Sequence, residues 1–265
     1  MMEGGVNPFH SRFKKTAISV MLFLFILTPV MAEDKEEAPP GWETTLALGM
    51  NLARGNSDIL SANVHLDRFK ETDVHEFRFG AFTQYNETDG KTSTQNAKTF
   101  AIYKRKFNRA FAYTDNSLFH DKIGDIKYRL ILGAGGGYYV VMRETKKLGL
   151  EAGLSYIREK IYDVLVEGGS DAQDSDLTDN IPAIRLAERY DHTLSETAKL
   201  WQSLEYLPDA GNFGNYLLHA EAGVEAALNT RLNLRFVVQD RYDSEPPTDL
   251  KKNDVAVMTA LVFKF

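Results

Sequence analysis

The feature that most restricts what this chain can fold into is a strict alternation of apolar and polar residues, repeated along most of its length. Trp42, Thr44, Leu46, Leu48, Met50 and Leu52 share one side of the first such segment, against Glu43, Thr45, Ala47, Gly49 and Asn51. Leu60, Ala62, Val64 and Leu66 follow, then Phe77, Phe79, Ala81, Thr83 and Tyr85. The pattern returns over 148–156, 216–228 and 232–238. Successive side chains of a strand point to opposite faces, so period two means a strand with one apolar face. Read this way, the sequence predicts twelve strands, at 42–52, 59–70, 75–87, 95–107, 111–123, 128–141, 148–161, 183–194, 198–207, 216–228, 231–244 and 254–265. Segments 95–107 and 111–123 carry aromatic and charged residues on both faces, so the count spans ten to fourteen.

These segments are long. A strand in a soluble sheet usually has about 5–6 residues, whereas a tilted strand crossing a bilayer needs about 9–11. The last segment adds a stronger constraint. Val255, Val257, Thr259, Leu261, Phe263 and Phe265 lie on one face, and the chain stops there on an aromatic residue. In hydrocarbon an open sheet edge leaves N–H and C=O groups unpaired, so the last strand is expected to close on the first. The fold class expected is therefore all-β, an antiparallel transmembrane β-barrel over 42–265. Phe263 and Phe265 resemble the terminal signal by which outer-membrane barrels are recognised for insertion. A soluble, secreted β-sandwich would also alternate, but it leaves the strand length unexplained.

Arg12, Lys14 and Lys15 precede the apolar run "AISVMLFLFILTPV", and Val30 and Ala32 are small residues at its end. This is the pattern of a cleaved signal peptide, expected over 1–32; a retained membrane anchor is the alternative. "EDKEEAPP" then reads as a flexible leader over 33–41. Loss of the signal removes three basic residues and one acidic residue, taking the net charge from −6 to −8. Such a balance argues against a nucleic-acid partner. With no cysteine there can be no disulfide, thiolate metal site or cysteine nucleophile. The connections between predicted strands alternate in length, the longer ones including "YDVLVEGGSDAQDSDLTDNIP" and "EPPTDLKK", the shorter "ETDV", "NRA" and "SET". Short periplasmic turns and longer outward loops are the pattern of a Gram-negative outer-membrane barrel. Outer-membrane lipid, lipopolysaccharide and the barrel-assembly machinery are the partners this implies.

"GWETTLALGMNLARGNSDILSANVHLDR" carries a tryptophan-led strand running into Gly55, Asn56 and Ser57. "RYDSEPPTDLKKNDVAVMTALVFKF" carries Tyr242, Asp243, Ser244 and Pro246, then Lys252 and Asp254 before the last strand. Together these resemble the two ends of the YdiY-like, salt-induced outer-membrane protein family, and the strand "RLILGAGGGYYV" also fits. The resemblance implies an outer-membrane location and a link to salt or envelope stress. It supplies no mechanism.

Motifs with chemical promise have simpler readings. Gly133, Gly135, Gly136 and Gly137 precede more strand and not a helix, so they suit close approach in a barrel wall and no phosphate loop. Glu167, Asp171, Asp174, Asp176 and Asp179 make the longest loop acidic without completing a calcium loop. His192 falls on the outward face and Ser203 on the inward one, so no hydrolase constellation forms. His65 and His120 lack ligand spacing, and neither metal nor cofactor is called for. The lumen wall is the informative region. With Asn229-Thr230-Arg231 as a hairpin loop, opposed residue numbers sum to 460. That sets Glu225 against Arg235, Glu221 against Gln239 and His219 against Arg241, all facing inward, with Arg185, Arg189, Asp191, Lys199 and Glu205 on neighbouring strands. The expected function is non-enzymatic: a narrow channel for small polar solutes or ions, or a plugged structural barrel. A lipid-modifying enzyme is the alternative.

Overall fold

The computed structural model describes residues 41–55, 58–162, 178–247 and 250–265. Twelve strands run β1 (Trp42–Ala53), β2 (Ile59–Glu71), β3 (His75–Thr88), β4 (Lys91–Phe107), β5 (Ala110–Asp121), β6 (Ile126–Met142), β7 (Lys146–Ile161), β8 (Thr178–Ser195), β9 (Ala198–Pro208), β10 (Tyr216–Ala227), β11 (Leu232–Asp243) and β12 (Asn253–Lys264). Each pairs antiparallel with its sequence neighbours, and β12 pairs with β1, closing the barrel. The closure reaches the last residue, whose amide donates to the Thr44 carbonyl at 3.0 Å. The signal peptide and most of the leader lie outside the described residues, as do Asn56, Ser57, Glu167, Asp171, Asp174 and Asp176.

Alternation sorts the two faces as expected. Large apolar side chains stay exposed on the outside, Met50 at 74% and Leu154 at 70%, with Leu66, Phe79, Val257 and Leu261 among the others. A contiguous apolar surface of this size in water would be an aggregation hazard, and in a bilayer it is the solvated state. Charge instead sits inside. Glu225 has 1% exposure, and Lys104, Lys106, Arg129, Arg185 and Asp121 are all buried.

One expectation about the strands needs correction. "TDGKTST" was expected to be a loop, but β3 and β4 continue through most of it and turn on Asp89-Gly90 alone. Both residues have positive φ, 49° and 75°, the geometry of a two-residue hairpin. The extension is polar on both faces, so it carries no apolar alternation. Segments 95–107 and 111–123 are the regular strands β4 and β5, and their inward aromatic residues have a local cause. Phe100, Phe111, Tyr113 and Trp201 each stand opposite a glycine: Gly80, Gly137, Gly135 and Gly223. A Cβ on any of these glycines would collide with the facing aromatic side chain or the adjacent backbone. Glycine lets the ring lie flat on the wall, so the lumen can hold aromatic as well as charged groups.

Candidate functional site: a lumen crossed by ion pairs

The predicted register of β10 and β11 is the observed one, with Glu225 opposite Arg235, Glu221 opposite Gln239 and His219 opposite Arg241. Two of these three pairs also bond through their side chains. Glu225 accepts from Arg235 Nε at 2.7 Å and Asn233 Nδ2 at 2.5 Å, with Lys199 Nζ at 3.5 Å. Glu221 accepts from Gln239 Nε2 and Trp201 Nε1, both at 2.7 Å. His219 and Arg241 do not pair with each other, since neither supplies a carboxylate. His219 Nδ1 lies 3.4 Å from Glu205, while Arg241 reaches Asp121 at 3.9 Å and covers the Phe119 ring.

Arg185 of β8 is the hub of the interior. Its guanidinium meets Asp115 of β5 at 3.0 Å, Glu151 of β7 at 2.7 Å and Glu205 of β9 at 2.5 Å. The Tyr113 ring lies 4.9 Å from its Cζ. Lys104 of β4 shares Glu151 at 2.8 Å. Arg189 has a more local partner, Asp191, two residues along the same strand at 2.8 Å.

Other contacts span the lumen and were not anticipated. At the end with the longer loops, Arg129 of β6 binds Glu159 and also Asp243 of β11, the latter at 2.8 Å. At the short-turn end, Glu71 of β2 accepts from Lys147 of β7 at 2.7 Å and Lys106 of β4 at 2.9 Å. Tyr139 of β6 donates to Glu76 of β3 at 3.2 Å. Between these levels, Phe82 of β3 packs on the cluster of Trp201, Val237 and Met258 from the facing strands β9, β11 and β12. A second inward cluster joins Ile157, Ala183, Leu207 and Leu217. In a ring of twelve strands, partners five or six apart face each other across the bore. Side chains from opposite walls therefore meet at both ends and between them. Inward parity alone would have flagged every one of these residues, but a linear register names only the neighbour along the ladder.

The motif residues of the C-terminal segment have structural work. Ser244 Oγ accepts from the Tyr216 amide at 2.7 Å, and the Ser244 amide donates back to the Tyr216 carbonyl at 3.0 Å. Asp243 holds Arg129 and caps the Glu245 amide at 3.0 Å. Tyr242 faces outward and stacks on Tyr216, ring centroids 5.6 Å apart. Asp254 stands opposite Arg241, and Pro246 follows in the loop. Gly55 takes a φ of 154° before the undescribed pair. Phe263 pairs with Leu46 and Leu232 on the outward face, and Phe265 is exposed. His192 faces outward opposite Leu200, with Ser203 inward opposite Glu221. Among the described residues no group of three or more His, Asp or Glu is arranged to hold a metal.

One family model, described as protein of unknown function, DUF481, matches residues 46–265. The chain belongs to this family. No curated protein matches it. Among solved structures it is similar to the translocator domain of the autotransporter NalP from Neisseria meningitidis, at 14% identity over 95% of this chain and 98% of that one, with a TM-score of 0.48. It is also similar to the KdgM porin, at 10% identity over 84% and 99%, TM-score 0.45. The NanC porin matches at 6% identity over 83% and 98%, TM-score 0.46.

Proposed function

We propose that this DUF481 member is a non-enzymatic barrel of the Gram-negative outer membrane whose lumen is shut by its own side chains. The observation that carries this reading is the set of contacts between facing walls: Arg129–Asp243, Lys147–Glu71, and Phe82 on the Trp201 cluster. Passage of a solute would require these pairs to separate together, and the more buried ones, Arg129–Asp243 and Arg185–Glu151, are costly to break in a low-dielectric interior. Of the two expected functions, the plugged barrel is therefore favoured over the standing channel. The apolar outer band and strand lengths support the membrane location, with export through the N-terminal signal, insertion by barrel-assembly machinery and contact with lipopolysaccharide as parts of the proposal. Membership of the YdiY-like branch and the link to salt or envelope stress belong to it too, resting on the end motifs.

Cell fractionation tests the location. The full chain should sediment with outer membranes and resist urea extraction. Recovery in the soluble periplasmic fraction would overturn the reading.

A further inference from the structure

The outward face of β1–β4 at the short-turn end gathers cations that have no carboxylate to bind. Register sets Lys70 between Trp42 and Phe77, Arg68 between Thr44 and Phe79, and Arg105 beside His75. Arg68 Cζ lies 4.8 Å and Lys70 Nζ 5.7 Å from the Trp42 ring, and Arg105 Cζ lies 5.5 Å from the Phe107 ring. Rings floor the space between them: Trp42 is 6.2 Å from Phe77, and Phe77 is 5.0 Å from Tyr103, whose hydroxyl meets His75 Nδ1 at 2.9 Å.

The inward cations Lys104, Lys106, Arg129 and Arg185 all have carboxylate partners, whereas Arg68, Lys70 and Arg105 form no ion pair among the described residues. Nearby acids form no ion pair with them: Glu43 lies on the inward face of β1, opposite Phe69, and the Phe265 carboxylate follows an amide bonded to Thr44. Glu71 and Glu76 engage lumen lysines, and Asp73 belongs to the turn beyond the strand ends. Aromatic belts mark the boundary between hydrocarbon and headgroups. Cations resting on ring faces at that boundary keep their charged heads free toward the headgroups. The anion at that depth is lipid phosphate, which arginine binds through paired N–H donors. Above the cations, exposed Leu48, Leu66 and Phe79 offer acyl chains an apolar track.

We propose that this face binds the phosphate of an anionic phospholipid in the periplasmic leaflet. The proposal rests on the outer-membrane reading proposed above and on the orientation expected from loop lengths, with the short turns on the periplasmic side.

Native mass spectrometry of the full chain folded in detergent would measure binding of phosphatidylglycerol, phosphatidylcholine and purified lipid A. Phosphatidylglycerol should bind more tightly than either of the others. Arg68→Ala, Lys70→Ala and Arg105→Ala together should weaken it by about fivefold per cation, roughly a hundredfold in all. Arg158→Ala, on the outward face at the opposite end, should leave it unchanged. The site would be overturned by unaltered binding in the triple variant, by an equal loss with Arg158→Ala, or by equal affinity for phosphatidylcholine. Tighter binding of lipid A that the triple variant abolishes would overturn the periplasmic source. A chain that fails to insert into vesicles, or inserts with its short turns outside in a protease-protection assay, would instead overturn the parent reading.

Discussion

Glu225 and Arg189 show how differently two charged residues of one wall can matter. Glu225 is buried at 1% exposure among Arg235, Asn233 and Lys199. Removing it leaves Arg235 without its carboxylate in a low-dielectric interior, so Glu225→Ala should cost roughly 3–5 kcal/mol. Arg189 pairs with Asp191, whose side chain is 45% exposed, and Arg189→Ala should cost less than about 1 kcal/mol. Urea unfolding of the barrel in lipid vesicles checks both, and equal losses would contradict this account of the lumen. Two adjacent glycines make a second contrast. Gly137 faces Phe111 across the inward ladder, whereas a Cβ on Gly136 would meet only the Phe111 carbonyl, at 3.6 Å. Gly137→Ala should therefore destabilise by about 1–3 kcal/mol, and Gly136→Ala by no more than about 0.5 kcal/mol, in the same unfolding measurement.

At the scale of elements, the ladder between β1 and β12 is the weak join. Four ladder pairs, Thr45↔Lys264 to Leu48↔Leu261, and the Phe265 amide on the Thr44 carbonyl connect these strands, whereas β1 and β2 pair from Trp42↔Lys70 to Ala53↔Ile59. Hydrogen exchange in bilayers should be fastest for the facing edges of residues 49–53 and 253–260, and slow along β6–β7. Uniform protection around the barrel would contradict this. All twelve strands were legible because lipid outside and a polar interior impose period two on each crossing. The ends of β4, β6 and β8 were not, because polar extensions beyond the apolar band hide the period. Asp89-Gly90 was a turn signal hidden inside "TDGKTST" for that reason. The β10–β11 register was readable from a three-residue hairpin, since a short loop fixes which residues oppose.

For the molecule as a whole, the decisive contacts are those the ladder cannot announce. Arg185 with Asp115, Arg129 with Asp243 and Lys147 with Glu71 join strands three to five places apart. Their meeting depends on how far long side chains reach across a narrow bore. A twelve-stranded barrel is narrower than the 16–18-stranded porins that hold an aqueous channel, so arginine, lysine and aromatic side chains suffice to cross it. The claim that this lumen is closed is tested most directly by single-channel recording of the folded protein in a planar bilayer. The account predicts no stable conductance from the wild type and discrete steps from Arg129→Ala, Arg185→Ala and Lys147→Ala combined. Steady wild-type steps, unchanged in the triple variant, would contradict it.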